Sequence, residues 1–138
     1  MTSTKARSLE YARKQGWLAG DVERWVPNPK HPAGGQRRDL WGFCDLIVID
    51  GFEHDLRFVN AVGSGEVNKH LTKWKEDDES NDAIRALIDL SISVEIWVWR
   101  KLIRRDARGA KRKMWSVKIH TLESDGEEIW VESSKEGQ

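Results

Sequence analysis

The 138-residue sequence predicts a single α/β domain, a mixed central β-sheet flanked by helices in the order αβββααββ. Strand-like alternation and helix-like periodicity interleave along the whole chain, with no internal repeat, low-complexity tract or linker. Hydrophobic residues make up 38% and include eight Trp, enough apolar area for one core. A pair of apolar runs around the turn at residues 51–54 reads as a central hairpin.

Residues 4–15 hold good helix formers, with Leu9 and Ala12 on one face and Gly16 as the stop. Residues 22–26 alternate apolar and charged side chains and read as the first strand. Residues 27–38 carry all three prolines, Gly34 and Gly35, and read as a loop made basic by Lys30, His31, Arg37 and Arg38. Residues 43–50 and 56–62 are the hairpin strands. Gly63-Ser64-Gly65 breaks the second of them, and Ser64 is the expected cap of the next helix. On that helix Val67, Leu71 and Trp74 share a face, and Lys69 and Lys73 share another. Residues 76–79 read as an acidic loop, and Ser80 as the cap of a helix with Ile84, Leu87, Ile88 and Leu90 as its stripe. Residues 94–99 are apolar on both faces apart from Glu95, as a central strand would be. Residues 101–113 read as a basic connection, and Trp115, Val117 and Ile119 mark the last full strand. Residues 123–138 are expected to be an acidic C-terminal tail or a short edge strand.

The longest apolar run, Leu46-Ile47-Val48-Ile49, is too short to span a bilayer, and the basic first 20 residues lack an apolar signal segment. The lone Cys44 and the scattered His31, His54, His70 and His120 give neither a disulfide nor a zinc spacing. A cytoplasmic protein with no membrane partner is expected. Net charge is zero but unevenly spread: +3 over residues 1–75, −6 over 76–99, +8 over 100–122 and −5 over 123–138. The basic stretch makes Arg104, Arg105, Lys111 and Arg112 candidate phosphate contacts, the alternative being a solvated hairpin. Arg37 and Arg38 are further candidates because they lie just before the strand that begins at Phe43.

If Asp50 faces Asp55 across the turn, antiparallel pairing holds the sum of paired residue numbers at 105 and sets Asp45 opposite Asn60. A carboxylate beside an amide oxygen is a pair of hard oxygen ligands suited to a divalent cation.

The run Arg38-Asp39-Leu40-Trp41-Gly42-Phe43-Cys44-Asp45-Leu46-Ile47, preceded by Glu23-Arg24-Trp25 and followed by Asn60-Ala61-Val62-Gly63-Ser64-Gly65, resembles the PD-(D/E)XK nuclease superfamily. Within it the nearest likeness is to small phage-type Holliday-junction-resolvase-like nucleases. The resemblance covers residues 5–120, makes the whole chain one nuclease-like domain and implies a restriction-endonuclease-like order of elements. It further implies Mg²⁺- or Mn²⁺-dependent hydrolysis of DNA, selective for branched forms such as Holliday junctions, by a homodimer. If the chain is phage-encoded, its place is the host cytoplasm.

Under the resemblance Asp45 falls on the metal-binding aspartate, Asn60 on the second acidic motif, and Glu10 where some members add an acidic ligand from the first helix. Val62 stands where the family's lysine usually sits, so Lys69 or Lys73 is expected to supply the ammonium instead. Asp39 reads as a cap at the start of the strand, the alternative being a residue that supports the metal ligands from behind. The alternative function is a catalytically degenerate nuclease-fold protein that binds DNA or a protein partner without cleaving.

Overall fold

Ser3 opens the first helix by accepting the Ala6 N–H on its Oγ, and Gly16, at φ 83°, closes it. The structure, a computed structural model, describes residues 3–137, with side chains described over residues 3–132. This helix, α1 (Thr4–Lys14), buries Ser8, Tyr11 and Ala12. Ser8 Oγ accepts the indole N–H of Trp99 at 2.7 Å, tying α1 to the centre of the sheet.

The strand expected over residues 22–26 is replaced by two strands, β1 (Leu18–Asp21) and β2 (Arg24–Pro27). They are separated because Asp21 Oδ1 accepts the Glu23 N–H at 2.9 Å and turns the chain out of the sheet. The expected loop over residues 27–38 likewise ends in a strand, β3 (Gly35–Arg38), which pairs with β2 in a separate two-stranded sheet. That hairpin needs glycine at 35. A Cβ there would lie 2.6 Å from Val26 O and 2.8 Å from the Trp25 ring. Gly35→Ala is therefore expected to cost about 1–3 kcal/mol in equilibrium unfolding. Gly20→Ala, with nothing within 4 Å of its Cβ, should stay within about 0.5 kcal/mol of wild type.

Five further strands complete the main sheet: β4 (Leu46–Asp50), β5 (Asp55–Gly63), β6 (Ser93–Arg105), β7 (Lys111–Ser124) and β8 (Ile129–Gly137). The order across the six strands is β1-β4-β5-β6-β7-β8. All neighbours are antiparallel except β5 and β6. That parallel pair needs a crossover, supplied by α2 (Val67–Glu76) and α3 (Asp78–Asp89). Alternation along the strands builds two cores. Tyr11 and Ala12 of α1 cover Leu46, Val48, Val59, Trp97 and Trp99 on one face, and Trp74, Ile84 and Leu87 of α2 and α3 cover Phe58, Val62, Ile96 and Val98 on the other.

Other expectations shift at their ends. Residues 40–45 form a turn before β4, with Trp41 at φ 54° and Gly42 at φ 76°. Helix α3 starts at Asp78 under an Asp77 cap, which absorbs much of the expected acidic loop; Ser80 instead donates to Trp41 O at 2.9 Å. Helix α2 follows Glu66 and has no side-chain cap from Ser64. The basic connection is strand on both sides of a turn at residues 106–110. The segment expected as an acidic tail or short edge strand forms β8 on the sheet edge, with Gln138 outside the described residues. Among the described residues no helix is long and apolar enough to cross a membrane.

Candidate metal centre

The β2–β3 register pairs Arg24 with Arg38, so the next residues outward, Glu23 and Asp39, stand side by side at the base of the hairpin. The turn after Asp39 then delivers Asp45 to the start of β4. Carboxylate oxygens of Glu23, Asp39 and Asp45 all lie within 4.8 Å of one another. Three acidic groups this close repel one another unless they hold protons or a cation.

Each carboxylate is fixed by a different device. Asp45 is 7% exposed and accepts the Ala61 N–H on Oδ1 at 3.1 Å and Oδ2 at 3.4 Å. Glu23 accepts from Lys5 Nζ at 3.3 Å and lies 3.8 Å from Arg37 Nε. Lys5 also binds Asp21 at 2.9 Å, so α1 delivers an ammonium to the rim of the cluster. Burial pushes the Asp45 carboxyl up to about 8, the neighbouring Asp39 charge pushes the same way, and the Ala61 N–H opposes them. Asp39 is raised as well, by burial and then by the charge of Glu23 and a hydrogen bond to it, while Lys73 and Lys5 pull it down.

The 105 register holds through β4 and β5, from Leu46 opposite Val59 to Asp50 opposite Asp55. The ladder ends at Leu46: the Asp45 N–H donates to Val59 O, the residue Leu46 already faces, so Asp45 sits one step off the 105 register rather than in a regular pair with Asn60. Asn60 is 2% exposed and donates from Nδ2 to Phe43 O at 2.6 Å. Its Oδ1 is buried with no hydrogen-bond partner among the described residues.

The other sequence candidates are dispersed. Glu10 points away from the sheet, 62% exposed and paired with Lys14 at 3.0 Å, so what α1 brings to the cluster is Lys5 rather than a carboxylate. Lys69 is solvent-exposed and faces Glu66 at 3.8 Å. Lys73, also exposed, is close enough for its charge to act on Asp39. Val62 is packed in the apolar core, 4% exposed. Arg37 and Arg38 line the β2–β3 hairpin beside Glu23 and Asp39.

Arg104 pairs across the strands with Arg112, and Arg105 with Lys111. Their ribbon leaves the sheet at the carboxylate end. The β5–β6 pairing stops at Gly63 opposite Trp99, and Arg100–Arg105 run on past it, a projection of roughly 20 Å. Arg7 of α1 lies 3.6 Å over the Trp115 ring and clasps the ribbon's root.

Sequence reasoning missed Glu23 and Lys5 as site residues and read Asp39 as a cap or, at most, as a support behind the ligands. The signal that could have found the first and last is a pair of acidic residues flanking a Pro- and Gly-rich segment, each followed or preceded by arginine. No protein-family model, curated protein or solved structure matches this chain.

Proposed function

We propose that this protein is a divalent-cation-dependent DNA endonuclease of the PD-(D/E)XK kind. The observation that carries the reading is the convergence of Glu23, Asp39 and Asp45 at the sheet end from which the basic ribbon projects. The order of elements supports it. Leaving aside the β2–β3 hairpin, the elements from α1 to β7 run αβββααββ, with three antiparallel strands and then a parallel one after the helical crossover.

The donor set fits a hard cation. It comprises three carboxylates; the amide oxygen of Asn60, next in sequence to the Ala61 N–H that Asp45 accepts, is buried with no hydrogen-bond partner among the described residues and is the further hard oxygen the reading enlists. Mg²⁺ or Mn²⁺ bound there would polarise the scissile phosphate and acidify an attacking water. The chain's own residues do the rest. The Ala61 N–H orients Asp45, and Lys5 holds Glu23 in place while presenting an ammonium to the substrate side. Arg37 and Arg38 flank the cluster and the ribbon carries the flanking phosphates. Trp25 and Trp41, 50% and 39% exposed, offer ring faces to unstacked bases.

One observation favours the second reading, a nuclease-fold protein that binds DNA or a protein partner without cutting. The family's usual lysine position is the core residue Val62, and its second acidic position is the uncharged Asn60. Lys5 and Asp39 offset those losses, which is why cleavage is the first choice. Junction selectivity by a homodimer is the finer part of the proposal. Purified protein with Mn²⁺ should nick a four-way junction faster than plain duplex; equal rates would remove the junction preference, and no cleavage with any metal would favour the second reading.

The ribbon has its own test. Neutralising Arg104, Arg105, Lys111 and Arg112 together should weaken DNA binding and flatten the log–log salt slope by about one unit per lost phosphate contact. An unchanged slope would make the ribbon a solvated hairpin.

A further inference from the structure

A second chemically distinctive region lies at the opposite end of the sheet. The β4–β5 turn and the end of α1 enclose a cleft of about 580 Å³, lined by Tyr11, Trp17, Phe52, Asp50, Glu53 and Asp55 around Arg57. Arg57 lies 4.5 Å over the Trp17 ring and binds Asp50 and Asp55, each at 3.1 Å. The second oxygen of Asp50 takes the N–H groups of Phe52 and Glu53, and that of Asp55 takes the Ser93 hydroxyl. These two carboxylates are therefore spoken for. The Glu53 carboxylate has no ion-pair or hydrogen-bond partner among the described residues and is exposed.

Two further features of the cleft suit a ligand. Tyr11 is 8% exposed overall, and its hydroxyl, which has no hydrogen-bond partner among the described residues, opens onto the cleft and is free to accept a donor there. Phe52 is 77% exposed, and its ring passes 3.3 Å from where a Cβ on Gly16 would stand, so an apolar wall is held open to solvent. The charge balance sets the sign of the ligand. Among the lining residues three carboxylates outweigh the one guanidinium; the helix-end carbonyls near Gln15 are offset by Arg13 and Lys14 in the last turn of α1, neither of which lines the cleft. Aromatic faces beside carboxylates suit a cation, as Arg57 itself illustrates.

We propose that this cleft is a docking site for an arginine- or lysine-bearing peptide segment of a partner protein. The cationic head lies against Phe52, paired with Glu53, and donates to the Tyr11 hydroxyl. The same negative charge disfavours phosphate, so nucleic acid and the peptide occupy opposite ends of the sheet. The proposal does not depend on the carboxylate cluster.

The test titrates the full chain with a fluorescein-labelled tetra-arginine peptide at low salt, read by anisotropy, with a tetraglutamate peptide as control. Saturable binding of one peptide per chain is expected. Glu53→Lys and Phe52→Ala, both at exposed turn positions, should each weaken it at least about 10-fold. Tyr11→Phe should weaken it less, and Asp45→Asn should leave it unchanged. No saturable binding, equal binding of tetraglutamate, or binding that survives both turn substitutions would overturn the proposal. A salt-sensitive dimer abolished by Glu53→Lys would overturn it too, by giving the cleft to the ribbon of a second copy.

Discussion

Asp45→Asn is expected to remove metal-dependent cleavage, with a loss of at least about 10³-fold, and at the same time to stabilise the cation-free protein at pH 8. Both effects come from one carboxyl group. It is buried beside Asp39, which pushes its proton affinity from the ordinary 3.8 up to about 8. Between those values the folded chain keeps a proton that the unfolded chain has released, so folding stability falls as pH rises from about 4 to about 8 and levels off above. The penalty at pH 8 is at most about 5 kcal/mol. Asparagine carries no charge and can still accept the Ala61 N–H, so the variant should lose that decline while its stability below pH 4 matches wild type. Thermal unfolding in chelator across this range reads the difference directly. Parallel curves for the two proteins would mean that Asp45 is not under this strain.

The second large effect is an exchange of protons for the cation. Below pH 8 the ion must displace the proton on Asp45, and burial and Glu23 raise Asp39 too. Cation affinity should therefore rise by up to about tenfold per pH unit between pH 6 and 8, then flatten. A site of ordinary surface carboxylates would show almost no pH dependence over that interval.

The contrast between Asp45 and its partners shows which parts of such a site a sequence discloses. The β4–β5 hairpin is legible because its apolar runs and polar turn are local, and counting from the turn gives the pairs from Asp50–Asp55 to Leu46–Val59, though not the shift of register at Asp45. The stripes Val67, Leu71, Trp74 and Ile84, Leu87 are legible for the same reason. Strand β3 is not, because Gly35-Gln36-Arg37-Arg38 has no apolar alternation and becomes a strand only by pairing with β2. With that pairing hidden, the adjacency of Glu23 and Asp39 is hidden as well. Lys5 escapes because only the docking of α1 brings its polar side to Asp21 and Glu23, where Lys5 is partly buried. The long β6–β7 ribbon reads as a connection because its Lys and Arg residues mask the sparse Leu102, Ile103 and Met114.

The central claim is that Glu23, Asp39 and Asp45 together hold a divalent cation. Isothermal titration of the metal-free chain with Mn²⁺ at pH 7, repeated in two buffers of different ionisation enthalpy, tests it most directly. The account predicts saturable binding whose heat differs between the buffers because about one proton leaves per ion bound; Asp39→Asn should weaken it sharply, and Asp45→Asn should abolish both the binding and the proton release. No binding, or binding with equal heats in the two buffers that survives both substitutions, would contradict it.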